Sequence, residues 1–260
     1  PTYTGALSTF NSFMADIYAV DIDENGLIPE KLVQVLEMLK WEGRKPAFIY
    51  TMPEIHNPAG VTMDTLRKIK LYEIAVKYDL LIIEDDPYGM INYDDKPVVP
   101  VKFFDRDERV VYMGSFSKIL SPGIRTGWMN ARPDLVRRCA IAKQGEDLCS
   151  NTLSQYAINY FLSGDKLADR ISKVRDIYRV KRDIMADAIQ EMIPCAEFVK
   201  PEGGLFLWVK LPEQVDTLAM MEKALARSVA YVTGTAFYPH GGGSSEMRLN
   251  FTFASHEDIT

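Results

Sequence analysis

Cysteine is scarce in this 260-residue chain: Cys139, Cys149 and Cys195 are odd in number, far apart and form no C-x-x-C pair. That excludes a disulfide framework and a thiolate zinc site, and it points to a reducing, cytoplasmic setting. Long apolar runs are missing as well. The longest, such as Leu80 to Ile83, are strand-length, against the ~20 residues a membrane helix needs, and no stretch reads as a signal peptide. Basic charge is in deficit, with 30 Lys and Arg against 36 Asp and Glu and a net charge of -6. With no Lys/Arg cluster, nucleic-acid and membrane-surface binding are disfavoured and a small-molecule partner is expected. Histidine is limited to His56, His240 and His256, scattered among loops without metal-like spacing, so no metal centre is expected. Internal repeats and low-complexity stretches are lacking too. The 47% hydrophobic content is that of an ordinary globular chain, long enough for one large or two modest domains.

What is present is a series of apolar strands that end in polar loops. The chain opens in Pro-Thr-Tyr-Thr-Gly, which predicts a turn. Pro29 sits in the first turn of a helix continued by Leu32, Val35, Leu36 and Leu39. Ala47 to Tyr50 predicts a short buried strand, and Met52 to Gly60 a loop held by two prolines. Thr62 is the expected N-cap of a helix whose face is Leu66, Ile69, Tyr72 and Val76. Leu80 to Ile83 and Val110 to Met113 follow as buried strands. This alternation predicts an α/β fold: a mainly parallel sheet with helices on both faces, over residues 1–165, and ligands beyond the strands' carboxyl ends. A helical region from Pro133 to about Leu162 is broken at Ser163-Gly164-Asp165, and a second long helix presents Ile177, Val180, Ile184 and Ala188. Short strands at 197–199, 205–211, 231–232 and 247–251 around a helix near Thr217 to Ala226 predict a smaller α+β domain over 166–260.

Several short motifs fail on their companions. Ser115-x-x-Lys118 matches the S-x-x-K signature of penicillin-binding enzymes, but S-D-N and K-T-G are absent. His240-Gly241-Gly242-Gly243 resembles an esterase oxyanion loop, yet no G-x-S-x-G elbow exists, so it reads as a flexible loop. Gly123-x-x-x-Gly127 lacks the Gly-Lys-Ser/Thr ending of a phosphate loop. Lys118 stands apart. It follows the strand at 110–113 and two hydroxyls, Ser115 and Ser117, and precedes Arg125 by seven residues. A free lysine near pKa 10.4 is uncharged in only about one molecule in 2,500 at pH 7, so chemistry there needs desolvation, a neighbouring cation or covalent capture.

One ordered series carries the most information: Asn57-Pro58-x-Gly60, Asp85-x-x-Tyr88, Ser115-x-Ser117-Lys118, Arg125-x-Gly127 and Arg248-Leu249-Asn250-Phe251, with Pro-Glu-Gly-Gly-Leu-Phe-Leu-Trp at 201–208. Singly these have bland explanations: a turn at Asn57, a strand-end acid at Asp85, a surface ion pair at Arg125, a solvated strand end at Arg248. In this order the sequence resembles the pyridoxal-phosphate aminotransferases of fold type I, over nearly its whole length. It is most similar to the class I/II branch that includes aminoadipate and kynurenine aminotransferases.

The resemblance implies transamination between an α-amino acid and a 2-oxo acid, 2-oxoglutarate being the usual acceptor, through an imine at Lys118, which also moves the substrate's α-proton. It places Asp85 at the pyridine nitrogen, where a carboxylate about 4 Å from a pyridinium, at an effective dielectric near 20, contributes roughly 4 kcal/mol. It further implies that Tyr88 and Asn57 bond the ring's phenolic oxygen, that Ser115, Ser117 and Arg125 hold the phosphate, and that Arg248, with Asn57, binds the substrate carboxylate. Relatives are homodimers. They also carry an N-terminal arm, a backbone phosphate cradle and a ring-stacking aromatic upstream of the position of Pro1, and a helix after that of Phe253, so the sequence is expected to be a fragment. Two alternatives remain: a cofactor-sensing domain behind a winged-helix DNA-binding module, the one route to a nucleic-acid partner, and a β-lyase on the same cofactor.

Overall fold

A computed structural model describes every residue except Asp95, Asp165 and Thr260. The chain begins with α1 (Thr4–Ser12) where a turn is expected from the sequence. A two-stranded ribbon of β1 (Ile22–Asp23) and β2 (Gly26–Leu27), too short to leave a periodic signal, leads into α2 (Pro29–Trp41). Proline opens α2, and Leu32, Leu36 and Leu39 form its buried stripe. Then come β3 (Phe48–Thr51), α3 (Thr65–Lys77), β4 (Leu81–Asp86), β5 (Val110–Ser115), the short α4 (Phe116–Ile119) and β6 (Gly127–Asn130). These strands form one sheet in the order β3-β4-β5-β6. β3, β4 and β5 pair in parallel as expected, whereas β6, unforeseen in the sequence, pairs antiparallel to β5.

Registers set the faces. Ile49 lies opposite Ile82, and Ile82 opposite Val110; all three are buried beneath Leu32, Leu36, Leu71 and Ala75 of α2 and α3. Residues of the other parity, Phe48 and Tyr50, face α1, where Phe10 packs at 5.6 and 5.5 Å between ring centroids. The first strand is therefore not buried on both sides; Phe48 is exposed.

Two helices turn differently from their apolar spacing. Asp64, not Thr62, caps α3, accepting from the Arg67 amide at 2.8 Å; Thr62 Oγ1 accepts from Ile55 N. The buried face of α3 is Lys68, Leu71, Tyr72 and Ala75, while Leu66 is 78% exposed and Val76 is also exposed. The cause is Lys68, whose amine is drawn inward onto Glu54 and the Val99 carbonyl. The region from Pro133 to Leu162 is two helices, α5 (Pro133–Asp147) and α6 (Thr152–Leu162), the second capped by Asn151. In α7 (Lys166–Met192), Val174, Ala186 and Ile189 are buried while Ile177 and Val180 are exposed. Here a charged residue again joins the inner face: Arg182 lies over the Tyr93 ring at 5.0 Å and donates to Pro201 O at 2.8 Å.

The chain continues with β7 (Glu197–Phe198), β8 (Phe206–Lys210), α8 (Thr217–Leu225), β9 (Val232–Thr233), β10 (Glu246–Asn250) and the short α9 (His256–Ile259), a single turn where the sequence predicts no helix. Its sheet has the order β7-β8-β10-β9, all antiparallel, matching the predicted strands to within two residues. The boundary expected at residue 165 lies outside the described residues. The core under this second sheet also recruits Ile91, Tyr93 and Ile119 from the first half. Gly203 and Gly204 make that junction possible: a Cβ on Gly203 would collide with the Ile91 carbonyl, and Gly204 has φ +77°. Among the described residues, no helix is long and apolar enough to cross a membrane.

The seating of α3 is testable. Leu71→Ala is expected to lower the unfolding free energy by about 2–5 kcal/mol, and Leu66→Ala by less than about 1 kcal/mol, measured by urea denaturation; the reverse ranking would show that the helix is turned the other way.

Candidate active site

The sequence-predicted residues gather where β4 and β5 end. β4 finishes in Glu84, Asp85 and Asp86, and its pleat sends alternate side chains to opposite faces. Glu84 and Asp86 are buried on the α3 side. Glu84 accepts from the amides of Val101 and Lys102 at 2.7 and 2.9 Å, and burial pushes its carboxyl up to about 7. Asp86 accepts from Gly89 N at 2.6 Å and Tyr112 Oη at 2.8 Å. Asp85 points to the other face. There Tyr50 Oη donates to Asp85 Oδ2 at 2.6 Å, and no described residue donates to Oδ1. Burial raises the Asp85 pKa; the Tyr50 bond pulls it down and the neighbouring Asp86 pushes it up.

β5 delivers the lysine. Ser115 ends the strand, and its Oγ accepts from Ser117 N at 3.0 Å, starting α4 with Lys118 in its single turn. Lys118 is half-buried, and its pKa is lowered by desolvation first and then by the positive charges of Arg125 and Arg248. Arg125 stands exposed, with a left-handed backbone (φ 50°), and donates to Ser117 Oγ at 3.4 Å and to Pro122 O at 3.2 Å. Two hydroxyls and a guanidinium thus share one corner beside the amine.

The second sheet supplies the other arginine. Arg248 on β10 donates to Asn57 Oδ1 at 2.8 Å. Its guanidinium lies 3.8 Å from the Phe206 ring centroid and 5.0 Å from that of Phe237, so the charge is held between aromatic faces. Asn57 is buried in the loop after β3, next to a cis Asn57-Pro58 peptide. Tyr88 is buried too, with Phe206 edge-on at 6.2 Å; burial raises its pKa and Arg248 opposes the shift. The hydrogen bonds that join the eight predicted residues to one another run from Arg248 to Asn57, from the Ser117 amide to Ser115 and from Arg125 to Ser117, and Lys118 feels the charges of both arginines.

Sequence reasoning gave no role to Tyr50, Phe206 or Phe237. Tyr50 lies in a strand legible as such, but its bond to Asp85 depends on inter-strand register. Phe206 falls within the 201–208 motif, whose place in the fold emerges only with the second sheet. Of the histidines, His56 is buried, and desolvation lowers its pKa to about 3, so it is neutral, while His240 Nε2 pairs with Ile17 O. Among the described residues no cluster of His, Cys, Asp or Glu could hold a metal.

The chain has relatives among known proteins, and they match it over its whole length. The family model "Aminotransferase class I and II" matches residues 2–260. The aromatic-amino-acid aminotransferase 1 of Thermococcus litoralis is 44% identical over the whole chain, which spans 62% of that relative's length. The crystal structure of the multiple substrate aminotransferase from Thermococcus profundus superposes with a TM-score of 0.96 at 43% identity, over all of this chain and 64% of that one. The α-aminoadipate aminotransferase of Thermus thermophilus, solved with N-(5'-phosphopyridoxyl)-L-leucine, gives 0.94 at 29% identity, over all of this chain and 66% of its own.

Because the Lys118 pKa is lowered, its uncharged, reactive form extends to lower pH than in a free lysine. Acylation followed by peptide mapping across pH should give Lys118 a midpoint below the ordinary lysine value. Arg125→Gln should move that midpoint up by removing a neighbouring charge; an unmoved midpoint would mean that Arg125 does not act on the amine.

Proposed function

The chain belongs to the aminotransferase class I and II family, and from that premise we propose that it carries most of the active site of an enzyme that exchanges an amino group between an α-amino acid and a 2-oxo acid, with 2-oxoglutarate as acceptor and pyridoxal phosphate as cofactor. The observation that carries the reading is Lys118: a half-buried amine whose proton affinity is lowered by desolvation and then by two guanidiniums, in the turn that directly follows the strand paired with the one bearing Asp85.

The donor set suits the cofactor. Ser115, Ser117 and Arg125 offer hydroxyls and a planar cation to a phosphate. Asp85 offers its Oδ1 to a ring nitrogen. Asn57, with Oδ1 engaged by Arg248, keeps its amide hydrogens for the ring's phenolic oxygen, and Tyr88 supplies a hydroxyl on the same side. Bound there, pyridoxal phosphate would supply an aldehyde that takes up amino groups and a protonated ring that accepts the electron pair left by the departing α-proton.

This chain's own residues do the rest. Lys118 Nζ would take the proton from the substrate's Cα and pass it on to the aldehyde carbon of pyridoxal phosphate, a task for which a depressed proton affinity is the main requirement. Asp85, as a carboxylate, keeps the ring nitrogen protonated. Arg248 binds the substrate carboxylate with both nitrogens of its fork, and Phe206 and Phe237 fix the plane of that fork. A homodimer is part of the same proposal. It is supported by the apolar residues that α5 and α6 leave exposed, among them Ile141, Leu153, Tyr156 and Tyr160. The free, exposed thiols of Cys139, Cys149 and Cys195 suit the reducing cytoplasm proposed for it.

Full-length protein mixed with pyridoxal phosphate should develop a visible absorption band, and borohydride reduction followed by peptide mapping should find the label on Lys118; a label elsewhere, or none, would sink the mechanism. Arg248→Ala should raise KM for amino acids about 10- to 150-fold, the equivalent of losing a charged hydrogen bond worth about 1.5–3 kcal/mol, while weakening cofactor binding far less. Steady-state kinetics beside a cofactor titration decides the point, and the opposite pattern would exchange the roles of Arg248 and Arg125.

A further inference from the structure

We infer that Tyr50 is a positioning residue for the proposed reaction: from the neighbouring strand its phenol pins Asp85 Oδ2, keeps that side chain a carboxylate and leaves Oδ1 as the oxygen offered to the cofactor's ring nitrogen. Tyr50 stands beside Ile83 in the parallel register of β3 and β4. Asp85 is two residues further along β4 and so on the same face. The 2.6 Å bond therefore crosses between strands and is fixed by their pairing. Phe10 holds the phenol ring edge-on at 5.5 Å, which removes the freedom the side chain would need to let go.

The direction of the bond follows from chemistry. Burial and the adjacent Asp85 charge keep the Tyr50 phenol un-ionised well above the ordinary tyrosine range, so toward a carboxylate it is a permanent donor. Asp85 needs one. Two influences push its side chain toward the neutral acid: burial, and the like charge of Asp86 on the same strand. A neutral carboxyl cannot stabilise a pyridinium, and a carboxylate free to rotate would share its two oxygens indiscriminately. The other groups facing this corner are Tyr88, beyond the end of β4, and Tyr3, ahead of α1, both of which act on Tyr50; Arg248 and Arg125 act on Lys118 instead. Among the described residues, Tyr50 alone donates a hydrogen bond to the Asp85 carboxylate.

This inference rests on the functional reading above, so the test has an arm that needs no cofactor. In the chain itself, carboxyl-carbon NMR of labelled aspartate should show Asp85 titrating at higher pH in Tyr50→Phe than in the parent. Tyr112→Phe, which deletes a part-buried hydroxyl bonded to Asp86, should raise Asp86 and, by easing the like charge beside it, move Asp85 not at all or slightly down, the opposite of Tyr50→Phe, which controls for a mere loss of packing. In full-length protein loaded with pyridoxal phosphate, Tyr50→Phe should raise the pH midpoint of the visible band, because a more basic carboxylate draws the proton away from the ring. It should also lower kcat about tenfold per pK unit of that change, with KM altered less than about twofold. An unchanged Asp85 titration in Tyr50→Phe overturns the inference whatever happens to activity. A shifted Asp85 in a protein that never binds the cofactor would uphold the Tyr50–Asp85 coupling and overturn the role given to it here, the failure then lying with the proposed function.

Discussion

Three consecutive carboxylates stand at the end of β4, and the pleat sends the outer two inward while the middle one looks out. Burying two like charges so close together is costly unless each is answered. Glu84 is answered by two amides of the turn at 101–102 and Asp86 by the amide of Gly89 and the hydroxyl of Tyr112. Those same bonds tie β4 to the segment ahead of β5, to the turn that carries Tyr88 and to β5 itself. The solution to an electrostatic problem on one face thus fixes the geometry of the other face, where Asp85 is presented.

The arginine of the second sheet depends on this arrangement from the opposite side. Arg248 has no carboxylate partner among the described residues; an amide oxygen and two aromatic faces hold it. Such a setting orients a guanidinium without neutralising it, so its charge remains felt at Lys118. An ion pair in the same place would have quenched that influence and with it part of the shift in the lysine.

The parallel strands were legible because each is an apolar run that ends in polar residues, and those strand ends pointed to Lys118 and to the acidic stretch at 84–86, within which only the family resemblance singled out Asp85. Helix faces were less legible, for a physical reason that recurs. In α3 and α7 a long cation, Lys68 or Arg182, turns inward to meet a buried acceptor or ring, and a stripe drawn through apolar letters alone is then rotated away from the true one. Tyr50 was invisible for another reason: alternation along one strand says which residues share a face, but not how far one strand slides past the next. The two-residue strands β1 and β2 are too short for any period to show.

The crossing at Gly203 and Gly204 bears on how the molecule comes apart. Tyr93 N donates to Glu202 O and Gly204 N to Ile91 O, while the Tyr93 hydroxyl reaches Gly204 O at 2.5 Å. These bonds lace the segment after β4 to the segment before β8. Their amides belong to neither sheet, yet neither can be freed without disturbing both. Hydrogen exchange at these positions would report the cooperative opening of the whole chain rather than the fraying of one lobe.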